Sequence, residues 1–349
     1  MRFIDMITIR HGTTRVVRTA IVVAALSSAS QGVHAGHTAS MGIGVGTASP
    51  INTESAVTLP RGRWAAGIRT EYTNYTDFSD AELLTRREAD PEAGLDAVDS
   101  LVNVSIGGFY GVTDDLTLGL RLPYVRRAGL REPEAEEGED PEIEQVGDPN
   151  GIGDLVLVGQ YRFYHVQDKH HAAIQLGVKT PTGDTDEESN SGVLIETDQQ
   201  PGSGSWDGLF GLAYTHWFSP FAFDTSVLYT LATEGSQNTE LGDAFNYNFA
   251  LSYRLGGGQQ GVFYAPREGL AWDLIVELNG EWRDTSEVDD LENPDFGGHV
   301  LYFSPGARLT VGSNWTFAVS GGVPVVTDLN GTNLADPDFR IIGSVGLSF

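Results

Sequence analysis

The sequence predicts an all-β fold: a transmembrane antiparallel up-and-down β-barrel of about twelve strands, with long extracellular loops and short periplasmic turns. Three observations predict it. The last stretch, residues 338–349, sets Phe339, Ile341, Gly343, Val345, Leu347 and Phe349 against Arg340, Ile342, Ser344, Gly346 and Ser348. Successive strand side chains point to opposite faces, so this stretch has one apolar face, as a wall between lipid and a polar lumen requires. The same alternation recurs in eleven earlier stretches, most of them about the ten residues that a tilted strand needs to cross a bilayer. The links between stretches also alternate, long then short, which is the pattern of outer loops and inner turns and one that a soluble sandwich has no reason to keep.

Residues 64–74 place Trp64, Ala66, Ile68 and Tyr72 opposite Arg69 and Glu71, and 101–110 group Val102, Val104, Ile106 and Tyr110. The turn 111–115 leads into the cleanest case, in which Leu116, Leu118, Leu120, Leu122 and Tyr124 face out and Thr117, Gly119 and Arg121 face in. Residues 154–164 put Leu155, Leu157, Tyr161 and Phe163 out and Gln160 and Arg162 in; 171–180 set Ala172, Ile174, Leu176 and Val178 opposite Gln175 and Lys179. Stretches 207–217 and 223–231 are joined tightly through Ser219 and Pro220. Phe245, Tyr247, Phe249, Leu251 and Tyr253 then oppose Asn246, Asn248, Ser252 and Arg254, and Trp272, Leu274, Val276 and Leu278 oppose Asp273, Glu277 and Glu281. Residues 300–311 turn through 312–314 into 315–326, and the terminal stretch is the twelfth. An even count returns both ends to the periplasm, and closure leaves no unpaired sheet edge in lipid. Among the turns at the inner end, the link 255–269 alone is long. Aromatics such as Trp64, Tyr110, Trp217, Tyr253, Trp272, Trp282 and Trp315 gather near strand ends, where interfacial girdles fall.

The two ends of the chain read as targeting signals. Arg10, Arg15 and Arg18, an apolar core over 19–29 and the sequence Val33-His34-Ala35 predict a signal peptide over 1–35 that directs export to the bacterial outer membrane. Phe349, Leu347 and Val345 form the alternating, aromatic-ended signal that such barrels present to the barrel assembly machinery. Residues 36–60, rich in Gly, Ser and Thr, read as a flexible periplasmic lead-in, and 61–349 as the barrel. Cys is absent, so neither a lipoprotein anchor nor a disulfide is expected. Removing 1–35 takes four basic residues and one acid away, moving the net charge from −27 to −30. That balance excludes nucleic acid as a partner, because phosphates need Lys and Arg.

Two sets of residues are candidates for function. Arg69, Glu71, Arg121, Arg162, Lys179, Asp224, Arg254, Asp273, Glu277, Glu281, Arg308 and Arg340 are expected to face the lumen. In a narrow barrel such charges pair and plug it; in a wider one they line a channel. Twelve strands lie between those limits, so both readings stand. Val156 and Val158 also face in, as would suit an apolar solute. The second set is acidic: 132–148 holds nine acids and no Lys or Arg, Glu136, Glu137, Glu139 and Asp140 among them. Asp186 and Glu187 cluster in the next outer loop, and Asp289 and Asp290 in the fifth. Such loops either bind divalent cations, bridging to lipopolysaccharide phosphates, or are solvated and self-repelling. The spacing is not that of a Ca²⁺-binding loop. His170 and His171 point apart in extended chain, and no spacing suggests a Ser-His triad, so neither a metal centre, nor a cofactor, nor an enzyme is expected.

Residues 111–120 with Pro123 and Tyr124, 151–155 with Tyr161, Arg162 and Phe163, 179–184, and 241–243 with Asn246 to Asn248 and Leu251 to Arg254 together resemble the outer-membrane family labelled after the phenol meta-degradation pathway. The resemblance implies a mid-sized barrel that takes up small solutes, aromatic or hydrophobic compounds among them; it carries over no site residues. The expected function is therefore a passive channel in outer-membrane lipid. The alternatives are a closed structural or surface-interaction barrel with cation-binding loops and, further off, a membrane-embedded hydrolase.

Overall fold

The computed structural model describes residues 50–349 apart from 77, 90–96, 135–141, 168, 256–268, 313 and 331–335. Each alternating stretch is a strand. They are β1 (Trp64–Tyr75), β2 (Ser100–Gly111), β3 (Leu116–Ala128), β4 (Val156–Val166), β5 (His170–Lys179), β6 (Asp207–Phe218), β7 (Phe221–Leu231), β8 (Ala244–Arg254), β9 (Leu270–Arg283), β10 (Gly298–Val311), β11 (Trp315–Leu329) and β12 (Pro337–Ser348). Each pairs antiparallel with its chain neighbours, and β1 pairs with β12, so the sheet closes into a barrel. Residues Asn150–Ile152 add a short strand beside β3 above the start of β4, and the break between them turns Asp154 inward. The fourth strand therefore starts at Val156, two residues later than the alternation alone suggests.

The period-two pattern sorts the two faces. On β2, Ile106 is 57% exposed on the outer face while its neighbour Ser105 is 3% exposed on the inner one. Inward positions are mostly polar and buried, Asp224, Asp273, Thr215 and Ser304 completely so. A buried polar group is costly unless it is hydrogen-bonded, so the interior must be a bonded network rather than an oil core.

Closure runs to the last residue: Trp64 and Phe349 exchange both backbone bonds, 2.8 and 2.9 Å, and Ile68 and Ala66 stand opposite Val345 and Leu347. The three residues read as an assembly signal thus form the closing seam.

Two elements depart from expectation. The loop after β1 holds a helix, α1 (Asp80–Ala89), capped where Ser79 and Glu82 bond reciprocally and with Arg86 and Arg87 in its last turn. Its Leu83 packs with Tyr75, Ala97, Val98, Leu130, Val146 and Ile195, an apolar cluster at the long-loop end. More consequential is the stretch before β1. The expectation of a flexible lead-in over 36–60 does not hold for its described part, because none of residues 51–59 is more than 5% exposed. The chain enters at the short-turn end past Gly111, where an added Cβ would lie 2.2 Å from the Pro60 carbonyl oxygen, so only glycine admits that approach.

Candidate functional site

The candidate site is the lumen. Residues 51–59 bond to strands all round it, which only a segment inside a closed barrel can do. At the short-turn end the Thr58 hydroxyl donates to the Asp114 carbonyl (2.7 Å) and the Leu59 amide to Thr117 Oγ1 of β3 (2.8 Å). Further in, Gln160 of β4 donates to the carbonyls of Ser55 (3.1 Å) and Val57 (2.8 Å). Thr215 of β6 accepts from the Ala56 amide (2.9 Å) and Ser226 of β7 from the Glu54 amide (3.2 Å). Glu277 of β9 accepts from the Asn52 amide (3.0 and 3.1 Å), the Thr53 amide (2.9 Å) and Asn52 Nδ2 (2.7 Å). Arg69 of β1 donates to the Ile51 carbonyl and to Asn52 Oδ1, both at 2.8 Å. A peptide lying along one wall of an open pore would leave a side in water. This one is buried on every side, so the lumen is filled at its level.

The inward charges named from the sequence fall into groups. Asp273 stands between Arg254 (2.7 Å) and Arg308 (2.9 Å), opposite both in strand register. Arg69 lies 3.3 Å from Glu71, and Arg340 3.7 Å from it, with the Arg340 guanidinium 4.0 Å above the Tyr302 ring and bonded to Asn279 (2.9 Å). Glu281 meets Arg283 (3.2 Å), Arg121 reaches Asn103 (3.5 Å), and Asp224 accepts from Thr215 (2.5 Å). Arg162 pairs with Asp115 (2.7 Å) beside the β2–β3 turn. Lys179 sits at the other end with Asp207 (2.5 Å) and Asp154 (3.7 Å).

Apolar side chains meet the inner segment in several sectors of the lumen: Ile275 and Ile342 pack with Ile51, and Trp217 and Ala222 with Val57, so Trp217 faces inward rather than joining an interfacial girdle. Phe109, Val158, Leu209 and Leu228, from β2, β4, β6 and β7, pack together with Ala65 and Val156, and Leu59 of the inner segment covers them. Val156 and Val158 lie in this patch; Phe109, Leu209 and Leu228 are also inward apolar positions in the alternation, but they become a patch only once strand register aligns them.

The long-loop mouth is narrowed by the link 180–206. Asp154 accepts from the amides of Gly183 (2.9 Å) and Ser203 (2.9 Å) and the Ser203 hydroxyl (2.7 Å). Gly183 and Gly202 pack so closely that a Cβ on the first would lie 2.7 Å from the Cα of the second. Arg127, fully buried on β3, donates to the carbonyls of Gln199 (2.8 Å), Gln200 (3.2 Å) and Asp198 (3.0 Å).

The acidic loops divide. Glu136, Glu137, Glu139 and Asp140 lie outside the described residues. Asp186 and Glu187 sit in the mouth link, where Gln200 brackets the Glu187 backbone (3.0 and 2.9 Å). Asp289 and Asp290 form the tip of the hairpin made by Ser286–Val288 and Leu291–Asn293, both in left-handed backbone conformation, with Asp289 accepting from Asn238 (2.8 Å). Among the described residues no group of three or more His, Asp or Glu side chains is placed to hold a metal ion. His170 and His171 face opposite sides: His170 stacks on His216 with ring centroids 4.2 Å apart, and His171 is buried against Trp217.

Beside that hairpin, burial pushes Glu240 above the usual carboxylate range, helped by Glu287, Asp243, Asp207 and Glu234. A carboxyl raised by folding costs stability at neutral pH, and the cost disappears as pH falls through the raised value. The Thr239–Glu240 and Ser286–Val288 pairing is therefore expected to tighten on acidification. Hydrogen exchange over 286–293 should slow between pH 7 and pH 5 beyond its intrinsic dependence, and Glu240→Gln should remove the difference. A difference that survives E240Q would assign it to another group.

A family model with the description "Putative MetA-pathway of phenol degradation" matches residues 47–333. Among solved structures, the COG4313 outer membrane channel from Pseudomonas putida F1 superposes with a TM-score of 0.60 at 16% identity, over 86% of this chain and 100% of that one. The Ralstonia pickettii toluene transporter TbuX (TM-score 0.41, 8% identity, 83% of this chain and 90% of that one) and the CymD monoaromatic hydrocarbon channel (0.38, 12%, 83% and 88%) are more distant. At such identities the first likeness speaks to the fold alone. No curated protein matches by sequence.

Proposed function

This chain belongs to that phenol-degradation family, and from this premise we propose that it is a passive outer-membrane channel for small solutes, aromatic or hydrophobic compounds among them. One observation carries the reading: the inward-facing apolar patch of Phe109, Val156, Val158, Leu209 and Leu228, drawn from β2, β4, β6 and β7, in a lumen whose other inward positions are mostly polar. In a purely structural barrel the patch would do no more than seat Leu59. A channel for aromatic solutes gains a surface on which a ring sheds its hydration water. In this reading residues 1–35 direct export, Val345, Leu347 and Phe349 guide assembly, and the long loops lie outermost among lipopolysaccharide. The acidic loops then add negative charge at the mouth and meet divalent cations there.

The test is single-channel recording of refolded full-length protein in planar bilayers, with and without calcium and with phenol on one side. Openings in salt that phenol blocks are expected, with the block weakened in Phe109→Ser while salt conductance persists. A folded barrel that never opens under voltage, in either condition, would sink the channel.

A further inference from the structure

We propose that residues 51–59 are a displaceable gate, seated by a carboxamide-binding site in which Glu277 and Arg69 grip Asn52. The inference rests on the channel reading and goes beyond it, because it says what closes the path and which chemistry holds it shut. A primary carboxamide presents N–H donors on one side and a carbonyl acceptor on the other. Asn52 Nδ2 donates to Glu277 Oε2 (2.7 Å), Asn279 Oδ1 (3.3 Å) and Ser320 Oγ (3.4 Å), while Asn52 Oδ1 accepts from Arg69 (2.8 Å). A carboxylate and a guanidinium thus bracket one neutral side chain, which fixes the orientation of its amide and uses charge-assisted bonds on both sides. Asp, Leu or Ala at 52 could not satisfy both. The site's ligand class is a carboxamide on an extended peptide, and the chain supplies its own.

The way the rest of the segment is held makes it removable. Its bonds run from its own backbone to strand side chains, at Thr117, Gln160, Thr215, Ser226 and Glu277, rather than into the strand ladder. Water can replace each of them, and the barrel wall keeps every ladder bond when the segment leaves. Withdrawal also uncovers the apolar patch, since Leu59 packs on it. The segment is tethered at the short-turn end, where the Arg61 amide donates to Asp114 (2.9 Å), so it leaves toward that end while β1 stays in place.

The chain lacks Cys, so an engineered pair is unambiguous. Ser55 Oγ lies 3.0 Å from Thr215 Oγ1, close enough for Ser55→Cys with Thr215→Cys to form a disulfide. Full-length protein is recorded in planar bilayers, folding being checked by heat-modified gel mobility. Oxidised S55C/T215C should be silent, and dithiothreitol should restore openings to the reduced level. Asn52→Leu, which keeps the shape and loses the carboxamide, should raise open probability about tenfold or more, as the loss of charge-assisted bonds implies. Equal conductance in the oxidised and reduced pair, or an unchanged N52L, overturns the gate and leaves the channel standing. Silence of every folded variant, reduced pair and N52L included, overturns the channel and the gate with it.

Discussion

Asp273→Ala lowers the stability of the refolded barrel by about 3–5 kcal/mol, the usual cost of stripping a buried ion network of its central charge. Asp273 is completely buried and takes both arginines through both carboxylate oxygens. Arg254 Nε reaches Oδ1 at 2.7 Å and its Nη2 reaches Oδ2 at 2.9 Å, while Arg308 Nε and Nη2 reach Oδ2 at 3.1 and 2.9 Å. Arg254, Asp273 and Arg308 stand in line across β8, β9 and β10, so removing the middle charge leaves two guanidinium groups facing each other. Arg308 is nearly as buried as the acid it would lose. Arg162→Ala provides the contrast. Arg162 itself is 11% exposed, but its partner Asp115 is 41% exposed, so solvent screens the pair and its loss should cost about 1 kcal/mol. Urea midpoints in detergent micelles, followed by heat-modified mobility, separate the two. A D273A midpoint equal to wild type would mean that lumen water already solvates the arginines and that no network exists.

What the sequence reveals and conceals here divides along one physical line. The strands are legible because lipid imposes a period of two on one face, and that constraint acts residue by residue; β3 can be read from Leu116, Leu118, Leu120 and Leu122 alone. Inward polarity is legible for the same reason. Partnership is not: that Asp273 meets Arg254 and Arg308 follows from strand register, which the alternation does not give. Residues 51–59 are not legible because an extended segment held largely through its backbone shows no period of two; Asn52, Ser55, Thr58 and Leu59 use their side chains, but in no pattern that alternation reveals. Helix α1 was within reach, since Ser79 and Glu82 three residues apart are a capping box, with Asp80 in the first turn and Arg86 and Arg87 in the last.

Arg127→Met frees the mouth link without unfolding the barrel. Methionine keeps the length of the side chain and fills much of its volume, but it returns three carbonyls, of Asp198, Gln199 and Gln200, to a buried site without their guanidinium donor. Those residues form the inner turn of the link, and Gln200 in turn holds the backbone of Glu187 and Ile195 (2.8 Å), so the loss spreads through 187–200. Local opening should become easier by about 2–3 kcal/mol, roughly a 30- to 150-fold rise in amide exchange at Gln199 and Gln200. The global urea midpoint should stay near wild type, because the ladder bonds of β3 to β2 are untouched. Unchanged exchange would mean that the Asp154 bonds to Gly183 and Ser203 hold the link by themselves. The two ends of the lumen are therefore closed by different means. At the mouth one buried cation collects carbonyls of a long loop; below it, one carboxylate collects amides of a short segment. Each closure is centred on a charged side chain fixed to the wall and is assisted by others, Asp154 at the mouth and Arg69, Gln160 and Thr215 below, and none of these bonds is a rung of the barrel.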